Sequence, residues 1–237
     1  MLCRAFAVAF IVGILVGSLG QEARAAGRKP ASLQPILEIL DKAKLSGSLE
    51  FSGMCDLRDF PDFPQFRAPA TSGGSPLQTL REILADDPTM QVTRASDGTI
   101  RMIESDVPTD LLSVRINRIS FEGHGAAQSA VYTPNDALIR AILRAPEVVA
   151  FVKDHNIEWP FAAGAISSNS GQWPPALPHI SGSWDSLTLS QALDRVLRTF
   201  PGIWVYEDCP RSDEKNRIVY FRFFYLRNIG SGVFVEG

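Results

Sequence analysis

Pro76-Leu77-Gln78-Thr79-Leu80-Arg81-Glu82-Ile83-Leu84, followed by Met90-Gln91-Val92-Thr93 and by Asp97-Gly98-Thr99-Ile100-Arg101-Met102, decides the fold class of this 237-residue chain. Proline suits the first helical position, where its missing N–H would have no partner in any case. Leu77, Leu80, Ile83 and Leu84 then recur on one helical face. Asp86-Asp87-Pro88 ends the helix. Met90 to Thr93 alternates, Asp97-Gly98 supplies a tight turn, and Ile100 to Glu104 returns. The stretch therefore predicts a helix followed by a β-hairpin.

The same order recurs at an offset of 113 residues. Leu80, Ile83, Leu84, Pro88, Met90 and Val92 align with Leu193, Val196, Leu197, Pro201, Ile203 and Val205. A small-residue strand start precedes each copy: Leu45-Ser46-Gly47-Ser48-Leu49-Glu50 and Ile180-Ser181-Gly182-Ser183-Trp184-Asp185. Upstream, Ser32 is placed to cap a helix reaching about Leu45, with Leu33, Ile36, Leu37 and Leu40 on its apolar face. Between the copies, Leu112 to Phe121 reads as a strand, and Thr133-Pro134-Asn135-Asp136 starts a helix. Pro146 should end or kink that helix before a further one over Glu147 to His155. In the second copy a helix is predicted over Leu189 to Thr199 and a strand over Ile203 to Tyr206. A loop over Glu207 to Asn216 holds Cys209. Arg217 to Leu226 is β-rich and apolar on both faces, so it is expected to be central, or covered by a helix on one side, and not an exposed edge.

The predicted class is α+β, built of two related small βαβ-hairpin units, each with helices packed on a small mixed sheet. The first spans 31–106 and carries a Pro/Phe-rich insertion. The second spans 107–226, with an inserted helix and a Pro/Trp loop. Residues 227–237 are expected to be a C-terminal tail.

The helix Pro76 to Leu84, the strand Met90-Gln91-Val92 and the turn and strand Asp97 to Met102 follow the order of the short N-terminal domain of secretins and TonB-dependent receptors. The chain resembles that family in two degenerate copies. The second matches in helix and first strand but has a longer hairpin loop without Asp-Gly. The resemblance implies contact with partner proteins, or assembly through sheet and helix surfaces, and it transfers no catalytic residues.

Arg4 precedes an apolar run from Ala5 to Leu19, and Ala23-Arg24-Ala25 follows. Basic start, apolar core and A-x-A end read as a signal peptide over 1–25, cleaved after Ala25. The competing reading is a retained anchor, although the run falls short of the roughly 20 residues a spanning helix needs. The expected location is the periplasm or the exterior, with a soluble chain after cleavage. Without Arg4, Glu22 and Arg24, the 23 basic and 26 acidic residues become 21 and 25, a net charge of −4. That balance argues against a nucleic-acid partner. Cys55 and Cys209 then remain, one in each copy, and an oxidising compartment makes them a candidate disulfide; two unlinked thiols are the alternative. Closing a loop of 154 residues would stabilise by about 4–5 kcal/mol in the chain-entropy picture.

Chemical motifs are sparse. Ser212-Asp213-Glu214-Lys215 matches S-x-x-K, but it falls in a polar hairpin loop and no K-T-G accompanies it. His124, His155 and His179 have no metal-ligand spacing, and no phosphate-binding glycine loop occurs. No catalytic residue, metal ligand or cofactor is assigned. The stronger functional candidates are two loops in which proline alternates with aromatic residues: Phe60, Phe63 and Phe66 in the first, Trp159 and Trp173 in the second. Rigid aromatic residues make good partner anchors; folding back to cover the sheets is the alternative use. The sequence thus points to a non-catalytic interaction or assembly module of the bacterial cell envelope, with an envelope protein as partner and an oligomer as one form. The competing classes are an envelope enzyme whose site forms only in three dimensions, and a small-ligand carrier lined by Trp159, Trp173 and Trp204.

Overall fold

A computed structural model describes residues 33–53, 66, 74–121, 130–131, 133–158, 178–210, 217–229 and 232–236. The predicted helix–hairpin stretch forms as read. Helix α2 (Pro76–Ile83) opens on Pro76, with the Ser75 side chain accepting from the Gln78 N–H. Strands β2 (Met90–Arg94) and β3 (Ile100–Glu104) pair antiparallel, Val92 opposite Met102. Gly98 turns the hairpin at φ +92°, a conformation glycine adopts without a Cβ penalty.

Before it lie α1 (Gln34–Ala43) and β1 (Gly47–Ser52). After it come a 3₁₀ turn (Leu111–Ser113), β4 (Arg115–Ser120), β5 (Ala130–Val131) and α3 (Pro134–Ala137), which runs into a π turn at Leu138–Ile142. Then follow α4 (Pro146–Asp154), β6 (Ile157–Glu158), β7 (Ile180–Ser181) and β8 (Ser183–Thr188). The last elements are α5 (Leu189–Thr199), β9 (Ile203–Pro210), β10 (Arg217–Ile229) and β11 (Gly232–Glu236). The fold is α+β, with a mixed sheet.

The two sequence copies do not form separate sheets. One seven-stranded sheet runs β11-β10-β9-β1-β3-β2, with β6 also paired to β10. Strand β1 lies parallel to β3 on one side and to β9 on the other, so Gly47 is opposite both Ile100 and Ile203. The two Ser-Gly-Ser starts are not equivalent. Gly47 opens the central β1, whereas Gly182 bends the chain at φ +77° between β7 and β8, and β8 pairs with β4 outside the main sheet. The stretch expected as a strand from Leu112 begins as the 3₁₀ turn and extends only from Arg115. The loop expected from Glu207 is strand as far as Pro210, and the expected 227–237 tail contributes the end of β10 and all of β11. The acidic Glu207-Asp208 pair reads as loop because it lacks apolar alternation; its pairing with β1 is long-range and overrides that local signal. The tail strand β11 instead forms a local hairpin with the end of β10.

Alternation splits the sheet's side chains between two cores. Leu49, Phe51, Val92, Ile100, Met102, Ile203, Val205 and Phe224 meet the Leu33–Leu40 face of α1 and Leu80, Ile83 and Leu84. On the other face, Trp204, Tyr206, Val219 and Phe223 meet α3, α4, α5 and the β4–β8 pair. Adjacent Phe223 and Phe224 therefore enter opposite cores, which accounts for a β10 that is apolar on both sides.

Candidate functional site

The sheet face under α5 carries two clusters of charge. In the first, Arg101 of β3 stands between Glu50 of β1 and Asp194 of α5. Its guanidinium donates to Ser48 Oγ at 3.2 Å and Glu50 Oε1 at 3.3 Å, and makes a short contact to Asp194 Oδ2. Trp204 Nε1 donates to Asp194 Oδ1 at 2.8 Å, and the Trp204 ring lies 5.1 Å from the guanidinium carbon. The side chains of Arg101, Glu50 and Asp194 are 15%, 5% and 4% exposed, so one cation serves two buried carboxylates. Burial raises Glu50 above the usual carboxylate range, against the pull of Ser48 and Arg101. Burial raises Asp194 likewise, against Arg101 and the Trp204 N–H.

The second cluster centres on Arg217 at the start of β10. It donates to Asp208, to both oxygens of Asp110 at 2.9 and 2.8 Å, and to Tyr206 Oη at 2.6 Å. The single Tyr206 hydroxyl proton faces Asp208 Oδ2 at 2.8 Å and the Pro108 carbonyl at 3.0 Å. Burial pushes the Tyr206 phenol far up, and the Asp208 charge adds to it. Burial also raises Asp208, opposed by the bonds from Tyr206 and Arg217. Burial acts to raise Asp110 too, but there the Arg217 bond and the Leu111 N–H prevail and its carboxyl is held low. Both clusters fasten elements together: β1 and β3 to α5, and β9 and β10 to the 108–110 segment. Glu50 Oε1, both oxygens of Asp194, Asp208 Oδ2 and both oxygens of Asp110 are held by these internal donors.

Two clefts open at the end of the sheet where β1, β3 and β9 begin. The larger, of about 550 Å³, has Leu37, Leu40, Leu45, Leu197 and Pro201 among its walls. The second, of about 400 Å³, is lined by Arg101, Thr188, Ser190 and Arg195 among others. Asp97, Asp194 and Arg198 border both. The Asp97–Arg198 pair is 3.9 Å apart. Among the described residues no group of three or more His, Cys, Asp or Glu is placed to hold a metal ion, and no helix is long and apolar enough to cross a membrane.

The sheet also ends on an open strand. Strand β2 pairs only with β3 among the described strands. The Ser105 N–H bonds the Thr89 carbonyl and the Ala95 N–H bonds the Thr99 carbonyl, one at each end of the ladder. Alternation then turns Thr89, Gln91, Thr93 and Ala95 toward β3, and Met90, Val92 and Arg94 outward. The Met90 N–H is taken by the Asp87 carbonyl. Arg81 reaches over from α2 and donates to the outward Val92 carbonyl from Nε and Nη2, each at 3.2 Å. The Val92 and Arg94 N–H groups and the Met90 and Arg94 carbonyls have no partner among the described residues. The side chains of Gln91, Thr93 and Arg94 are exposed.

Few of the residues singled out by sequence fall in these places. Cys209 is buried on β9, in strand and not loop, at 1% exposure. Cys55, Phe60, Phe63, Trp159, Trp173, His124 and the Ser212–Lys215 motif lie outside the described residues. Phe66 is half-buried against the α1–α2 core, the covering use of that ring. Trp204 is buried at 1% exposure and anchors Asp194. His155 stacks on Phe151 at a centroid distance of 3.8 Å, and His179 is exposed. Sequence reading passed over Arg101, Asp194, Asp208 and Arg217. Asp194 did leave a trace, because it falls between Leu193 and Val196 on the inward side of α5. No protein family, curated protein or solved structure matches the chain.

Proposed function

We propose that the protein is an exported, non-catalytic interaction module of the bacterial cell envelope that engages a protein partner by strand addition at β2. Export is supported by Arg4, the apolar Ala5–Leu19 run and Ala23-Arg24-Ala25. The observation that carries the binding mode is the row of outward N–H and C=O groups on β2 with no partner among the described residues. Such an edge templates an extended segment through main-chain bonds, and side-chain pockets then set specificity. The charged groups buried under α5 support the non-catalytic reading, since Arg101 and the Trp204 N–H tie Glu50 of β1 and Asp194 of α5 to β3 and β9.

The test is photo-crosslinking in the native envelope with a benzophenone side chain at exposed Thr93, compared with one at exposed Asp154 on α4. A protein adduct formed from position 93 and not from 154 is the expected result. No adduct, or equal adducts from both positions, rejects strand addition at β2.

A second reading rests on the 550 Å³ cleft, whose apolar walls suit a small amphipathic ligand. Replacing the exposed wall residue Pro201 with glutamate should weaken such binding and leave crosslinking at position 93 intact.

A further inference from the structure

We propose that the segment added to β2 is β2 of a second copy of this chain, paired antiparallel about a two-fold axis at Val92. This rests on the strand-addition reading above and names its partner. The edge carries opposite charge at its two ends. At its start, Asp87 and Glu104 flank Met90: both accept from Thr89 Oγ1, and Glu104 is directly opposite Met90 in the β2–β3 pair. At its end stands Arg94, exposed and with no carboxylate partner among the described residues. Between them Gln91 and Thr93 are neutral.

An antiparallel two-fold pairing sets the basic end of each copy beside the acidic end of the other. A parallel pairing would stack like charges at both ends. The pairing is isologous, the form that closes into a dimer instead of a filament.

The backbone register fits. Val92 faces the same residue of the second copy, and its outward N–H and C=O supply a reciprocal pair of bonds. The Arg94 N–H reaches the Met90 carbonyl of the second copy, which is unused in the single chain. Gln91 then stands opposite Thr93 of the second copy, in a position without hydrogen bonds, where Cα atoms approach to about 4.5 Å. Arg81 must first release the Val92 carbonyl, so its bonds at 3.2 Å hold the free edge closed. Two five-residue strands bury less than the roughly 1,200 Å² of a stable complex, so the dimer is weak and concentration-dependent.

The signal-cleaved full chain, purified, is examined by sedimentation velocity from about 10 μM to about 1 mM, the range where such weak association registers. Dimer should grow with concentration. Arg81→Ala, which uncaps Val92, should raise the dimer fraction several-fold, and Arg94→Pro, which removes an outward donor and a charge, should lower it. Both positions are exposed, and thermal melts check that the variants remain folded. Independently of any folding effect on those two, the double substitution Gln91→Cys and Thr93→Cys at two exposed sites should give an inter-chain disulfide on mild oxidation. Either substitution alone should not, because neither position faces itself across the axis. Absence of the link in the double variant, or equal linking by a single one, overturns the pairing, as does an Arg81→Ala chain that stays monomeric. If the purified chain stays monomeric while position 93 still captures another protein in the envelope, self-pairing fails and strand addition stands.

Discussion

Arg101→Met tests whether the buried cluster under α5 is a fastening. Methionine keeps much of the stem but removes the cation shared by Glu50 and Asp194. The guanidinium donates to Ser48 Oγ and Glu50 Oε1 and contacts Asp194 Oδ2. Its loss leaves two carboxylates, 5% and 4% exposed, without their countercharge. Breaking a buried pair in this way costs about 3–5 kcal/mol. The 15% exposure of Arg101 admits some water and puts the expectation near the lower end, about 3 kcal/mol. A chain of this size loses roughly 2–4 °C of melting temperature per kcal/mol, so a drop of about 6–12 °C is expected.

The pH dependence sharpens the test. Glu50 and Asp194 already have raised folded-state values, so the folded chain binds their protons more tightly than the unfolded chain does. That contribution is present at low pH and is lost as pH rises through the folded values. Removing Arg101 raises both further and enlarges the loss at high pH. Urea unfolding followed by tryptophan fluorescence should therefore show the penalty greatest near pH 7.5 and shrinking toward pH 4.5. A penalty that is independent of pH, or that grows on acidification, would falsify this account of the cluster.

Tyr206→Phe keeps the ring against Phe221 but strips the hydroxyl from Asp208, Arg217 and Pro108; a loss of about 1–3 kcal/mol in urea unfolding is expected. Gly202→Ala would place a Cβ 2.3 Å from the Phe224 carbonyl oxygen, a backbone atom, and should destabilise by more than about 2 kcal/mol. Gly74→Ala meets nothing closer than 3.5 Å and should change the same unfolding midpoint by less than about 1 kcal/mol. For the cysteines, the Gly53 N–H bonds the Asp208 carbonyl, so the chain leaves β1 next to Cys209. Peptide mapping without reduction should recover Cys55 joined to Cys209, and unlinked peptides would refute the pairing.

The helices and the first hairpin were legible because their signals are local. Pro76 and the Leu80–Leu84 face define α2, Asp97-Gly98 defines the turn, and the inward pattern of Ala192, Leu193, Val196 and Leu197 bounds α5 at its observed limits. The order of strands was not legible, because β1 pairs with β3 and β9 across long sequence separations that no local pattern encodes. The matched Ser-Gly-Ser starts misled for a physical reason. Gly47 is small because a Cβ would come within 2.9 Å of the Ile100 carbonyl oxygen, whereas Gly182 has open space around it and a positive φ. The same residue type answers a steric demand in one place and a conformational one in the other. Of the candidate site, Arg81 and Arg94 read as ordinary surface cations. Only the tertiary position of β2 turns one into an edge cap and the other into a free end.

Placing β1 between β3 and β9 makes the two sequence copies one body, and the Arg101 cluster sits on that seam. Glu50 comes from β1, Arg101 from β3, Asp194 from α5 and Trp204 from β9. The first copy cannot complete its sheet without β9, and the second cannot cover β9 without β1. The seam is thus the wrong place for a partner, because opening it would break the parallel β1 ladders and expose paired charges. β2 lies beyond β3, on the far side of that seam from β9. A strand added there extends the ladder by releasing only the Arg81 cap, and leaves both cores and both charge clusters untouched. That difference in cost is why the binding proposed here is assigned to the β2 edge and not to the seam.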